Sequence, residues 1–269
     1  GGTVATAFHA SPLASNMEVT FLGTGSAMPT GDRMQTGILL THDNRTLLVD
    51  CGSGILHRLA ATDRGYEAVS TVLLTHLHLD HVADIMPLLK ARWLAGEEHL
   101  ELIGPVGTKE LLDGLLAVHD YLDGRVDLRI REVVAGEEFA AAGFGVESHE
   151  IDHSMEGLAY RFAADTDNAA DAPFAFSADT EASEGLVGFV AGCRVVAHDC
   201  SVPDSVDVDG HPTPSTLGAV FADSDVDHLY LTHLYPHTEG HHEEMVSTIS
   251  EQFNGEVHVA RDGLRIDLS

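Results

Sequence analysis

Basic residues are scarce in this 269-residue chain: lysine occurs only at Lys90 and Lys109. In all, 14 lysines and arginines face 43 aspartates and glutamates, for a net charge of −29. That balance argues against a surface built to grip nucleic acid through its phosphates. An acid excess with arginine preferred to lysine is the composition expected of a protein kept soluble in concentrated salt, where screening relieves self-repulsion. Cysteine is also rare. Cys51, Cys193 and Cys200 form no CxxC pair and are odd in number, so neither a disulfide framework nor a thiolate zinc site is expected. No run of about eighteen apolar residues offers a membrane helix. The stretch 1–15 lacks lysine, arginine and a long apolar core. It reads as a disordered tail or expression scar rather than a secretory signal, and the protein as cytoplasmic.

Histidine is what the chain does have, and three fall in one short run. Thr75-His76-Leu77-His78-Leu79-Asp80-His81 follows the apolar Val72-Leu73-Leu74. A strand ending there would deliver three imidazoles and a carboxylate to one loop at the rim of a sheet. Imidazole suits zinc, and a neighbouring carboxylate completes a site for a divalent metal. The alternation with Leu77 and Leu79 sends the two groups of ligands in different directions.

The rest of the chain is of a length for one large domain, 16–269, with a full core. Strands are expected over 17–23, 38–41 and 46–50, the last two forming a hairpin around Asp43-Asn44. Ser53 is placed to cap a helix running to about Thr62. A strand reaches His76, a long helix covers 82–95, and a strand at 100–103 precedes a helix at 108–118. The second half repeats the scheme. Strands are expected near 126–134, 145–150, 157–163, 173–177, 194–197, 227–231, 257–260 and 264–268, and helices over 181–190, 213–222 and 237–251. The polar insert 164–172 reads as an exposed hairpin tip. Two β-rich halves with helices outside give an α/β, four-layer αββα sandwich.

The pattern His-x-His-x-Asp-His resembles the signature of the metallo-β-lactamase superfamily, and later residues continue the resemblance. His153 precedes a strand-like Gly157 to Phe162, Asp179 sits in Phe176-Ser177-Ala178-Asp179-Thr180, close to the family's Ser-Gly-Asp-Thr, and His233 ends Leu229-Tyr230-Leu231-Thr232. The resemblance implies that one metal takes His76, His78 and His153 and the other takes Asp80, His81 and His233, with Asp179 shared. It implies two zinc ions, with manganese or iron as alternatives, and catalysis through a metal-bridging hydroxide in which Asp80 takes part. His78 stands where the redox-active diiron relatives carry glutamate, which favours hydrolysis. Asp50 has a supporting role, accepting a hydrogen bond from a ligand imidazole, or is a turn aspartate before Gly52.

Within the superfamily the chain resembles the ribonuclease Z branch. Phe21 to Arg33 matches its opening, Ala197-His198-Asp199-Cys200-Ser201 its His-Glu-Ala-Thr stretch, and Gly210-His211-Pro212-Thr213 its His-Ser-Thr. By that mapping Asp199 orients His211, which protonates the leaving oxygen of a phosphodiester. The alternative for His211 is a loop histidine beside the helix cap Thr213. Asp199 is shorter than the branch's glutamate, and Ser53 replaces a glutamate after Cys51-Gly52. The stretch from Gly104-Pro105 to Gly143-Phe144 is too short for the arm that grips transfer RNA. The expected substrate is therefore a phosphodiester, RNA or a small molecule, and the expected assembly a homodimer. A sulfatase, lactonase or β-lactam hydrolase on the same fold is the competing reading, and a non-catalytic RNA- or protein-binding member a remote one.

Overall fold

A computed structural model describes residues 16–166 and 171–268. The tail expected over 1–15 and the centre of the polar insert lie outside the described residues. The first half supplies β1 (Glu18–Gly23), β2 (Gly37–His42), β3 (Arg45–Val49), α1 (Ile55–Ala60), β4 (Thr71–Leu73), α2 (Leu79–Val82), α3 (Ile85–Leu94), β5 (His99–Gly104), α4 (Thr108–Val118) and β6 (Asp127–Glu132). The second supplies β7 (Glu138–Ala141), β8 (Phe144–Glu150), β9 (Leu158–Ala163), β10 (Phe174–Phe176), α5 (Glu184–Phe189) and β11 (Val195–Asp199), then α6 (Pro214–Phe221), β12 (His228–Thr232), α7 (His242–Ser250), β13 (Glu256–Val259) and β14 (Arg265–Asp267).

Two sheets result, ordered β14-β1-β2-β3-β4-β5-β6 and β13-β12-β11-β10-β9-β8-β7. Each is antiparallel on one side and parallel on the other, with β3 to β6 parallel in the first and β10 to β13 parallel in the second. Parallel strands covered on both faces read as continuous apolar runs, and Val195-Val196-Ala197 is buried throughout. Phe21, Phe144, Tyr160, Phe162, Phe174 and Phe176 fill the space between the sheets. Outside, α1, α3 and α4 bury Ile55, Leu59, Leu88 and Leu112 on one sheet, and α6 and α7 bury Leu217, Phe221, Met245 and Ile249 on the other. The architecture is the expected four-layer αββα sandwich.

Three local expectations need correction. Ser53 does not cap α1; the residue before it is Gly54, and Asp84 Oδ2 accepts from the Gly54 and Leu56 amides, both at 3.0 Å. The helix expected over 82–95 is split into α2 and α3. Pro87 lacks the N–H that a continuous helix needs and fits only within a first turn, so the helix restarts at Ile85. Glu138 to Ala141 forms an unforeseen strand, because Ala142 and Gly143, both with left-handed backbone, fold it back onto β8.

Candidate metal centre

Strand ends from both sheets meet at one rim. Leu74, just past β4, is tied to the opposite sheet by a 2.8 Å hydrogen bond from the buried Tyr160 hydroxyl to its carbonyl. The Leu158 amide donates to the Thr75 carbonyl at 2.8 Å, so the ligand loop is pinned from both sheets before any ligand is considered. Gly52 lets this loop close: a Cβ there would lie 2.1 Å from the Asp80 carbonyl. Across the rim, Leu234 pairs with Gly25, and its amide donates to the Thr24 carbonyl at 2.9 Å.

All seven residues expected from the sequence converge there. His76, His78, His153 and Asp179 present ligand atoms within 4.8 Å of one another, and so do Asp80, His81, Asp179 and His233. Asp179 belongs to both groups. Its Oδ2 lies 3.2 Å from His81 Nε2, 3.1 Å from His233 Nε2 and 3.6 Å from His76 Nε2. Leu77 packs against the core while Leu79, the first residue of α2, is 80% exposed at the cleft rim, so the run passes from an extended segment into a helical turn that presents Asp80 and His81.

The ring tautomers are set by what stands behind each imidazole. His81 Nδ1 donates to Asp50 Oδ2 at 2.7 Å, His76 Nδ1 to Thr75 Oγ1 at 3.0 Å, and His153 Nδ1 to the Gly210 carbonyl at 3.1 Å. His233 Nδ1 donates to Ser201 Oγ at 2.9 Å. Each of these four rings thus keeps Nε2 for a ligand, while His78 turns Nδ1 inward, 3.1 Å from His76 Nε2. Asp50 is the supporting residue rather than a plain turn aspartate, because its two oxygens also accept from the Thr75 amide and hydroxyl at 2.8 and 2.7 Å. Gly210, with a left-handed φ of 79°, brings its carbonyl against His153, where a Cβ would stand 2.8 Å from the ring nitrogen.

The electrostatics call for positive charge. Burial disfavours the charged form of His81, but Asp179 and Asp50 outweigh it and hold its pKa well above the ordinary imidazole value. Asp80 is opposed by burial yet brought down to about 2, mainly by the hydrogen bond from His233 and the charge of His81. Asp179 lies well below the usual carboxylate range against the same burial penalty. Its Oδ1 is buried with no hydrogen-bond partner, a costly state for a carboxylate oxygen unless a cation meets it. The donor set of nitrogen and carboxylate oxygen fits a divalent transition metal, so the residues present suit the cofactor that the cluster implies.

Asp199 and His211 adjoin this cluster. Asp199 Oδ2 accepts from His211 Nδ1 at 2.6 Å, and Oδ1 accepts from Ser201 Oγ at 2.5 Å. Burial pushes His211 down, but the Asp199 charge and hydrogen bond carry its pKa up to about 9. The His211 ring stacks on His233, with centroids 5.5 Å apart and an interplanar angle of 12°. Ser201, which links Asp199, His211 and His233, and Thr75, which links Asp50 to His76, were not singled out from the sequence. Ser201 had a faint signal in the spacing Asp199-Cys200-Ser201, which puts 199 and 201 on one side of an extended chain.

Five of the ligands, His78, Asp80, His153, Asp179 and His233, line a cleft with His211 and Tyr235, while His76 and His81 are fully buried behind it; among the described residues, no lysine or arginine lines the cleft. Gly104 to Gly143 runs through β5, α4, β6 and β7 with no projecting arm.

Comparisons with known proteins agree with this geometry. A family model described as Anti-Pycsar protein Apyc1 matches residues 17–217. A protein named ribonuclease Z from Mycobacterium avium (strain 104) is 30% identical over 278 aligned residues, which cover 94% of this chain and 98% of that one. The metallo-β-lactamase fold protein YhfI from Bacillus subtilis superposes with a TM-score of 0.80 at 23% identity, over 94% of this chain and 100% of that one. The short form of human tRNase Z gives 0.75 at 20% identity, over 94% and 99%.

Proposed function

Because this chain belongs to the metallo-β-lactamase superfamily, as a ribonuclease Z-like metal-dependent hydrolase matching the family described as Anti-Pycsar protein Apyc1, we propose that it hydrolyses phosphodiesters at a dinuclear zinc centre. His76, His78 and His153 would hold one ion, Asp80, His81 and His233 the other, and Asp179 both; manganese or iron could replace zinc. When bound, the metals supply Lewis acidity and an acidified water as nucleophile. Asp50, Thr75, Ser201 and the Gly210 carbonyl keep the ligand rings in the tautomers that leave the ligand nitrogens free.

The observation that carries the reading is the Asp199–His211 pair beside the cluster. His211 holds its proton on Nδ1 against Asp199, leaving Nε2 to give a proton to a departing oxygen. A leaving alkoxide needs that proton, whereas activated aryl leaving groups do not. Two features favour a small phosphodiester or short RNA over transfer RNA: among the described residues no lysine or arginine lines the cleft, and the 104–143 segment makes no arm.

The acid excess supports work in concentrated salt, and no helix among the described residues is long and apolar enough to cross a membrane; we read the setting as cytoplasmic. Exposed Leu94, Val118 and Tyr121, near the ends of α3 and α4, support a homodimer, which sedimentation in molar salt would test. The deciding assay compares bis-p-nitrophenyl phosphate, an aryl sulfate, a lactone and a precursor transfer RNA in molar salt with zinc or manganese. Turnover of the diester above the rest supports the proposal; turnover of the sulfate or lactone alone overturns it.

A further inference from the structure

A second histidine cluster lies at the other end of β12, outside the catalytic machinery. β12 and β13 run parallel with His228 beside Glu256 and Tyr230 beside His258, so all four side chains share one face of the sheet. His228 Nδ1 and His258 Nε2 are 3.2 Å apart, and Glu256 Oε2 lies 3.5 Å from the first and 3.4 Å from the second. The three atoms form a nearly equilateral triangle.

That triangle has the dimensions of one face of a zinc tetrahedron. With metal–ligand bonds of about 2.0–2.2 Å, neighbouring ligand atoms on tetrahedral corners stand roughly 3.3–3.6 Å apart. A single proton shared between the two rings would account for the 3.2 Å contact but not for the Glu256 oxygen, which is 71% exposed and yet turned toward both ring nitrogens rather than out to solvent. The rings are also held in place. His258 stacks on Tyr230 with centroids 4.6 Å apart, and Tyr230 packs against the core residue Phe21 at 5.8 Å. Both imidazoles are about one-third exposed, open enough for an ion to enter.

We propose that His228, Glu256 and His258 form a third metal site, which takes a single zinc-class transition ion with a fourth position open to water. It lies about 16 Å from His233, just past the other end of the same strand, at an extended rise of ~3.3 Å per residue, too far to share an ion with the catalytic pair. β13 is the edge of its sheet and bonds only to β12 among the described residues. An ion there clasps the edge strand to its neighbour through side chains on one face of the sheet.

The test counts zinc per chain by equilibrium dialysis for the intact sequence and for His228→Ala/His258→Ala, with cobalt absorption as a probe of tetrahedral geometry. The double variant should bind one ion fewer while its turnover of bis-p-nitrophenyl phosphate stays within about twofold, because no group of the cleft is altered. A His76→Ala/His233→Ala chain should keep one tetrahedral cobalt signal, which separates this site from any failure of the catalytic reading. Equal zinc counts in the intact chain and the His228→Ala/His258→Ala variant would overturn the proposal. Should that variant not fold, zinc-edge anomalous diffraction from the intact protein decides: a peak between the three side chains upholds the site, and its absence refutes it.

Discussion

Asp199 holds His211 by one carboxylate oxygen and, through Ser201, reaches His233 with the other. One aspartate therefore orients both the candidate acid and the ring of a candidate metal ligand, and the two rings lie nearly parallel. A disturbance at Asp199 should be felt in protonation and in metal binding together.

Replacing His211 by alanine should leave both catalytic metals bound yet reduce turnover by about 10²–10⁴ on an ester with a ribose leaving group. The deficit should shrink on p-nitrophenyl esters, whose leaving group departs without a proton. Equal losses on both esters would show that His211 only binds substrate.

The pH profile should carry the mark of the same pair. His211 must be protonated to act, and its folded-state pKa is raised from 6.5 to about 9, so its contribution persists below that value and falls as pH rises through it. Cations held by the neighbouring ligands would lower this limb. Asp199→Asn removes the charge that raises the pKa, and should shift the alkaline limb further toward neutrality relative to the unaltered chain. Rate profiles of the two proteins that superimpose would refute the assignment.

Metal analysis should separate the two catalytic positions. His76→Ala should lose ion chiefly from the site shared with His78 and His153, and His233→Ala from the site shared with Asp80 and His81. A protein that never holds more than one ion among these seven residues under saturating zinc would end the dinuclear reading.

Asp50→Ala should weaken metal binding at the His81 position by roughly 10- to 100-fold, since the carboxylate fixes the tautomer and aim of that ring. Competition with a chromophoric chelator would measure it, and unchanged affinity would reduce Asp50 to a backbone role.

Thermal stability should rise with salt over the molar range as screening relieves repulsion among the excess carboxylates. Melting curves at about 0.1 M and 2 M salt would check this. A flat response would mark an ordinary acidic protein.

The ligands at 76–81 and His233 were legible because each follows an apolar strand, whereas His153 and Asp179 were legible only through the order of motifs that the family resemblance implies. Asp50 was half legible: its place after β3 was visible, but whether it met a ligand ring depended on α2 folding back over Gly52. Ser201 and Thr75 act through contacts that only the tertiary arrangement creates. β7 escaped notice because Glu138-Phe139-Ala140-Ala141 favours helix as much as strand, and the turn at Ala142-Gly143 decided for the hairpin. The pairing of His228 with His258 is set by the register of two parallel strands, which nothing in either segment announces.

Asp50, Ala178 and His233 have φ values of 60°, 57° and 57°, a backbone shape that costs non-glycine residues roughly 1 kcal/mol or more. At Asp50 and His233 the side chain is part of the candidate centre, so a glycine there would remove a group the cluster contains. Ala178 is different: its methyl group contributes no donor or acceptor, and the related motif has glycine there. Of the three, it is the one position where an engineer could recover conformational ease without spending chemistry.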